Sequence, residues 1–265
     1  MKLTIITINR NNTEGLHKTI ESVVKQTFTD FEYIVIDGES SDSSVDIIKQ
    51  FADKISYWVS EPDTGIYNAM NKGALIAKGE YLLFLNSGDI LAQKDTLLSV
   101  AVNLEDGVDI LSGYVREQNE GGKDKYPPKT FSLKFLYNEN IPHQSEFIKR
   151  ELLISLGLYN ENFVILSDYE FNLKALMNNA TYRYLDVLIS YVDTSGVSYK
   201  EASNHIMGEE KEKILGTNIP FAIMKDYEYF FLKEKDFHPA LLWLKENKFM
   251  FKILRFVYNK FSQQK

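Results

Sequence analysis

The sequence contains no cysteine, which excludes disulfides and thiolate metal sites and leaves oxygen or histidine to ligate any metal. It also lacks any run of the roughly 18 apolar residues that a spanning helix needs. Met1 leads straight into a strand-like segment without the basic, apolar and small-residue regions of a signal peptide, so a cytoplasmic location is expected. Basic residues are in deficit: the net charge is −7, which argues against general nucleic-acid binding. The deficit is uneven, because six basic residues between Lys245 and Lys265 stand against Glu246 alone. Internal repeats, low-complexity tracts and clear linkers are absent as well. The 265 residues suffice for one large α/β domain or two small ones.

What is present centres on Tyr81 to Leu91, YLLFLNSGDIL. Tyr81 to Leu85 form a short apolar run that suits a strand buried on both faces of a parallel sheet. Asn86, Ser87, Gly88 and Asp89 then bring an amide, a hydroxyl and a carboxylate to the strand's carboxyl end, where open α/β sheets bind ligands. The same four residues are turn formers, so a plain strand-ending turn is the competing reading.

The preceding segments decide between these readings. Strands are predicted at Leu3 to Ile8, Tyr33 to Ile36 and Ile55 to Val59. They alternate with helical faces: Leu16, Ile20, Val23 and Val24; Val45, Ile48 and Ala52 behind an Asp42 N-cap; and Ile66, Ala69, Met70, Gly73, Ala74 and Ala77 before a Gly79 stop. Right-handed crossovers bring all the strand ends to one edge, so Asn9 to Asn12, Asp37 to Asp42 and Asn86 to Asp89 would share it. Three polar clusters on one edge point to a ligand crevice. Further strands are predicted at Asp109 to Val115, Phe163 to Leu166 and Tyr182 to Val192. The loop from Glu117 to Pro128 reads either as a mobile segment near a site or as ordinary surface. Ser167 or Asp168 is placed to cap a helix.

Taken in order and spacing, TIITINRNN, VIDGESSDSS, EPDTGIYNAMNKG, FLNSGD and the later HQ and SDYEF segments resemble the family 2 inverting glycosyltransferases of GT-A fold. The likeness runs from about Leu3 to Ser198 and is strongest to bacterial members that build surface polysaccharides. It implies an α/β fold with a mixed, mainly parallel sheet and helices on both faces. The implied domains are a catalytic domain over 1–200, with a nucleotide-binding half (1–115) and an acceptor-binding half (116–200), and a helical extension over 201–265.

The resemblance also implies roles, residue by residue. Thr7, Asn9, Asn11 and Asp37 would hold the nucleotide base, Asp37 by accepting a ring N–H as a charge-assisted bond. Asp63 and Lys72, with Asn86 and Ser87, would border the ribose and diphosphate, although a lysine on an amphipathic helix is as often merely solvated. The strand-end motif corresponds to the family's Asp-x-Asp, which places a divalent cation (Mn2+ or Mg2+) on the diphosphate. Here Asn86 and Gly88 replace both aspartates, and Asp89, one place on, is the metal candidate, directly or through water.

Asp168 matches the general base that takes the acceptor hydroxyl's proton in a single in-line displacement; Glu170 is second choice and a helix cap the structural alternative. His143 and Gln144 match a segment on the acceptor side, and Ser198 with His205 would belong to a segment that closes over the diphosphate. Arg10, Glu39 and Met70 depart from the family's usual tyrosine, glycine and arginine.

The implied partners are a nucleotide-sugar donor, most simply a UDP-sugar, and a glycan or lipid-linked acceptor. The Gln-x-x-Arg-Trp motif of processive synthases is missing, so one sugar per encounter is expected. A nucleotidyltransferase would show a Gly-rich phosphate loop after the first strand, of which TINRNNTEG is a poor example. A non-catalytic nucleotide-sugar-binding module is the other alternative. Between 245 and 265, Phe249, Ile253, Phe256 and Val257 make an apolar helical face with Lys248, Lys252 and Arg255 beside it. Such a helix suits peripheral contact with the inner face of an anionic membrane, or packing on the catalytic domain or on a second subunit of a homodimer.

Overall fold

In the computed structural model, residues 2–104 and 107–230 are described. The first half alternates as read from the sequence: β1 (Leu3–Asn9), α1 (Thr13–Val24), β2 (Phe31–Asp37), α2 (Ser44–Gln50), β3 (Tyr57–Ser60), α3 (Ile66–Ile76) and β4 (Tyr81–Phe84). The second half is less regular. It contains β5 (Ile90–Leu91), α4 (Thr96–Ala101), β6 (Ile110–Glu117), β7 (Asp124–Lys125), α5 (Leu133–Asn138) and a short 3-10 turn at His143–Ser145. There follow β8 (Glu146–Lys149), α6 (Arg150–Ser155), α7 (Ser167–Met177), β9 (Tyr182–Val192) and α8 (Ser203–Asn218).

The strand order is β3-β2-β1-β4-β8-β6-β9-β5, with β7 paired to β6. β3, β2, β1 and β4 run parallel, so their carboxyl ends meet at one edge. β8 enters antiparallel between β4 and β6, while β6 and β9 are parallel to each other. The sheet is therefore mixed, with β1 to β4 as its parallel half.

Alternation along β1 builds a core on each face, since successive side chains point to opposite sides of a strand. Leu3 and Ile5 join Leu16, Ile20 and Val23 of α1 and Ile48 of α2 on one side. Ile6 and Ile8 join Met70 and Ala74 of α3 and Phe171 and Ala175 of α7 on the other. Each fully buried aliphatic chain contributes roughly 1.5–3 kcal/mol, so both helical layers are anchored by the same strand.

Three local expectations are corrected. Gly79 does not stop α3, which ends at Ile76; a β-carbon there would come within 2.5 Å of the Thr4 backbone nitrogen, so glycine is required by close approach to β1. Asp42 does not occupy the N-cap position of α2, which falls to Ser43; its carboxylate accepts instead from the Ser44 and Thr13 amides. Residues 163–166 are not a strand. The amides of Val164, Ile165 and Leu166 donate to the Glu210 carboxylate, at 2.6, 3.1 and 2.9 Å, so a side chain takes the bonds that a neighbouring strand would need.

The chain divides into the units Met1–Glu212 and Lys213–Lys265. Within the second unit residues 221–230 are helical. The basic amphipathic segment 245–265 lies outside the described residues.

Candidate active site

The loops that end β1, β2 and β4 are stitched together by side chains. Asn12 caps α1 by accepting from the Gly15 amide and donates to the Ser87 carbonyl, both at 3.0 Å. Asn11 accepts from the Ser41 amide while its own amide donates to Ser40 Oγ, both at 2.8 Å. Thr19 of α1 accepts from the Gly88 amide and donates to the Asp89 carbonyl, at 2.9 and 2.7 Å, clamping the strand-end motif. Asn11 and Glu39 both have positive φ, and at Glu39 this is the conformation that the glycine implied by the family resemblance would adopt freely.

Asp37 is fully buried. It accepts from Asn9 Nδ2 (2.7 Å), the Ser40 amide (3.0 Å), Ser40 Oγ (2.6 Å) and Ser60 Oγ (2.6 Å). Burial by itself would raise its pKa, but the Ser40, Ser60 and Asn9 donors outweigh it and hold the carboxyl below its ordinary value. Two bonds per oxygen use the usual acceptor capacity of a carboxylate. Asp37 thus ties the loop after β2 to the end of β1 and to β3. Asn9 Oδ1, by contrast, is buried without a partner among the described residues.

Beside these loops lies a cavity of about 770 Å3. Of the residues singled out in the sequence, Asn86, Ser87, Asp89, His143, Gln144, Asp168 and Ser198 line it. Asp89 is 3% exposed; its Oδ1 accepts from the Asp193 amide at 2.9 Å and its Oδ2 from Gln144 Nε2 at 3.1 Å. Burial pushes its pKa up to about 6, against the pull of the Asp193 amide, His143 and Gln144. Asp168, at the start of α7, accepts at Oδ1 from the Tyr169 amide (2.8 Å), with the Tyr67 hydroxyl at 3.3 Å. Its Oδ2 meets His143 Nδ1 at 3.2 Å. The other ring nitrogen, Nε2, lies 3.1 Å from Asn86 Nδ2. Asp168 does not cap its helix: Leu166 stands at the N-cap position, and the amides of residues 164–166 are taken by Glu210.

Other predicted residues stand elsewhere. Thr7 is sealed in the sheet with its hydroxyl 3.0 Å from that of Tyr33, because the strand's pleat turns it inward. Asn9, Asn11 and Asp37 form the adjoining loop network and do not line the cavity. Lys72 is spent on Glu61 and Asp63, at 2.8 and 2.7 Å. Glu170 pairs with Lys174 one turn along α7, and His205 is exposed beside Glu209 on α8. Glu170 and His205 line no part of the cavity.

The structure adds residues that sequence reasoning missed. Asp193, the residue after β9, lines the cavity and holds its carboxylate on the Ser195 amide and hydroxyl, at 2.8 and 2.7 Å. The one hint was its place at a strand end, beside turn formers. Lys125 lines the cavity too, donating to the Tyr199 hydroxyl at 2.8 Å and pairing with Glu117 at 3.1 Å. The segment from Glu117 to Pro128 thus contributes to the site, through the hairpin of β6 and β7.

Asp89 and Asp193 offer the hard oxygen donors that a divalent cation takes. Asp89 and Asp193 each accept one bond per oxygen from protein, which leaves lone pairs free, and Asn86 Oδ1 is buried without a partner among the described residues. Those residues hold no cluster of three or more His, Asp or Glu able to bind a metal by themselves. Substrate phosphates or water would complete the shell.

The sequence profile described as Glycosyl transferase family 2 matches residues 4–164. An uncharacterized glycosyltransferase of Mycobacterium tuberculosis is 34% identical over 212 residues, covering 78% of this chain and 80% of the relative. A PGL/p-HBAD biosynthesis glycosyltransferase of Mycobacterium bovis is 35% identical over 191 residues, 68% of this chain and 72% of the relative. Among solved structures, S. aureus TarS superposes with a TM-score of 0.62 at 23% identity, over 81% of this chain and 42% of TarS. This chain therefore spans less than half of that protein. TarS 1–349 in complex with UDP-GlcNAc gives 0.61 at 22% identity, over 81% and 70%. A mannosyltransferase from Pyrobaculum calidifontis in complex with GDP-Man and Mn2+ gives 0.59 at 17% identity, over 75% and 58%. At these identities the structural likeness speaks to fold alone.

Proposed function

The chain belongs to glycosyl transferase family 2 and is a glycosyltransferase of GT-A fold, and on that footing we propose that it transfers a sugar from a UDP-sugar, with inversion, to a hydroxyl of a glycan or lipid-linked acceptor. The observation that carries this reading is that Asp89 and Asp168, from opposite halves of the fold, line one cavity and are each partnered by the same short turn, His143–Ser145. One carboxylate then serves the leaving diphosphate and the other the incoming alcohol.

In the step itself the acceptor oxygen attacks the anomeric carbon and the carbon–oxygen bond to the diphosphate breaks. The acceptor's proton passes to Asp168 Oδ2, which keeps a lone pair beyond its bond to His143. At the nucleotide end, the network of Asn9, Asn11, Ser40 and Asp37 shapes the loop that would border the base. Asp89 and Asp193 would hold a divalent cation jointly with the diphosphate. Such a cation neutralises the charge that develops on the departing group. The choice of a UDP donor draws on TarS 1–349, solved with UDP-GlcNAc, and the reading of a biosynthetic transferase on the relative named for PGL/p-HBAD biosynthesis. Among the described residues no helix is long and apolar enough to cross a membrane. Contact with a lipid-linked acceptor at the membrane's inner face falls, in this reading, to the basic segment 245–265.

A thermal-shift panel of UDP-, GDP- and dTDP-sugars with and without manganese tests the assignment, because a ligand that binds only the native state raises Tm. A UDP-sugar should give the largest rise, greater with manganese, and should be consumed slowly by water or quickly with acceptor. Equal indifference to every nucleotide sugar would overturn the reading.

A further inference from the structure

We propose that His143 is the positioning residue for the base: its Nδ1–H holds Asp168 Oδ2 while its Nε2 accepts from the Asn86 amide, coupling the proton acceptor to the donor side of the cavity. The inference rests on the reading of Asp168 as the base.

The geometry requires something of this kind. The terminal torsion of an aspartate is broad and roughly two-fold, so a carboxylate anchored at one oxygen turns easily. Asp168 Oδ1 is held by the adjacent Tyr169 amide, and the nearby Tyr67 hydroxyl is committed to the Ile165 carbonyl. Among the described residues His143 is the one side chain within bonding distance of Oδ2, at 3.2 Å. Asn86 Nδ2, 3.1 Å from Nε2, is a donor only, so Nε2 must accept and the ring proton must sit on Nδ1. One neutral tautomer satisfies both contacts.

The ring is itself held in place. Pro142 precedes it, and the Ser145 amide and hydroxyl both return to the Pro142 carbonyl, at 3.0 and 2.9 Å. The next side chain, Gln144, reaches Asp89 at 3.1 Å. Two consecutive residues on one tight turn therefore register the two carboxylates against each other. A histidine serving only to bind diphosphate would need neither the Asp168 contact nor a fixed tautomer.

Nitrogen-15 NMR of the imidazoles in the full-length wild-type protein near pH 8, assigned by loss of the signal in His143→Gln, gives the first readout. A neutral ring protonated at Nδ1 is expected; a ring protonated at Nε2 would overturn the proposal without any kinetics. The second readout is hydrolysis of UDP-glucose, UDP-galactose and UDP-N-acetylglucosamine, with UDP affinity measured by calorimetry. His143→Asn, whose amide falls near Nδ1, should keep most of the turnover. His143→Ala should lose about 10–100-fold in kcat, with UDP affinity within about three-fold of wild type. Because His143 acts through Asp168, adding His143→Ala to Asp168→Asn should cost little more than Asp168→Asn alone. Independent, multiplying losses, or a fall in UDP affinity matching the fall in turnover, would make His143 a donor-binding residue instead. Unimpaired turnover in Asp168→Asn would sink the base assignment itself, a different failure from an Nε2-protonated His143.

Discussion

A β-carbon added to Gly88 would stand 2.7 Å from Oδ2 of Asp193, so the carboxylate beyond β9 occupies the space that a side chain in the strand-end motif would fill. Gly88 also has φ 107°, a conformation unfavourable for any other residue. Gly88→Ala should therefore lose about 1–3 kcal/mol, the sum of backbone strain and collision. Urea titrations of wild type, Gly88→Ala and Gly88→Ala/Asp193→Ala measure this. The double variant should recover the collision part only, and an unchanged midpoint in Gly88→Ala would refute the account.

The same relationship predicts how the site handles a cation. If Asp193 supplies the carboxylate that Asn86 and Gly88 do not, Asp193→Ala should lower the manganese-dependent part of UDP affinity about 10–100-fold. UDP binding in EDTA should be nearly unaffected. Calorimetric titration of UDP with manganese and with EDTA gives both values. Equal affinity in the variant and wild type with manganese would leave Asp193 a loop-shaping residue.

Why Asp193 escaped the sequence reading is instructive. β1 to β4 are legible because apolar runs and helical spacing are local signals, and Asn86 to Asp89 are legible because polarity changes abruptly at a strand end. Asp193 meets Asp89 across more than a hundred residues, and β9 reaches it only through its place beside β6 and β5. For Lys72 the surroundings are hidden in a related way: helical spacing places it on an outer face but says nothing of Glu61 and Asp63, with which it pairs. Residues 163–166 have a strand's composition, yet Glu210, distant in sequence, takes their amides. Thr7 lies inside β1, which runs one residue beyond its predicted end to Asn9, and the strand's pleat buries its hydroxyl.

Glu146 carries a prediction about pH. It is fully buried, with Asn172 Nδ2 3.2 Å from its Oε2 and no partner for Oε1 among the described residues. Burial pushes its pKa well above the ordinary value, and the Asp168 charge adds to the rise, against the Asn172 bond. The folded protein then keeps a proton that the unfolded chain releases above about pH 4.3, so this group's stability is greatest at low pH and is lost as pH rises. Glu146→Gln removes that dependence while keeping the shape. It should match wild type near pH 4 and gain on it toward pH 8, by at most about 1.4 kcal/mol per pH unit. Denaturation midpoints at the two pH values decide; a variant that loses stability at both would mean the carboxylate is charged and needed.

The sharpest division of labour concerns Asp168. If it is the group that takes the acceptor's proton, its charge matters in the transition state and little in donor binding, so Asp168→Asn should lower kcat about 10²–10⁴-fold. UDP affinity should stay within a few-fold, because the substitution leaves Asp89, Asp193 and the strand-end loops intact. Folding should also survive, since the Tyr169 amide can bond to the carboxamide oxygen much as it does to Oδ1 of the carboxylate. Single-turnover kinetics with a saturating UDP-sugar, alongside calorimetry with UDP, separates the two effects. A variant that turns over slowly only because it no longer binds donor would show Asp168 to be part of the cavity's scaffold, and the proton would need another acceptor. Glu170 is poorly placed to replace it, being buried and paired with Lys174 away from the cavity.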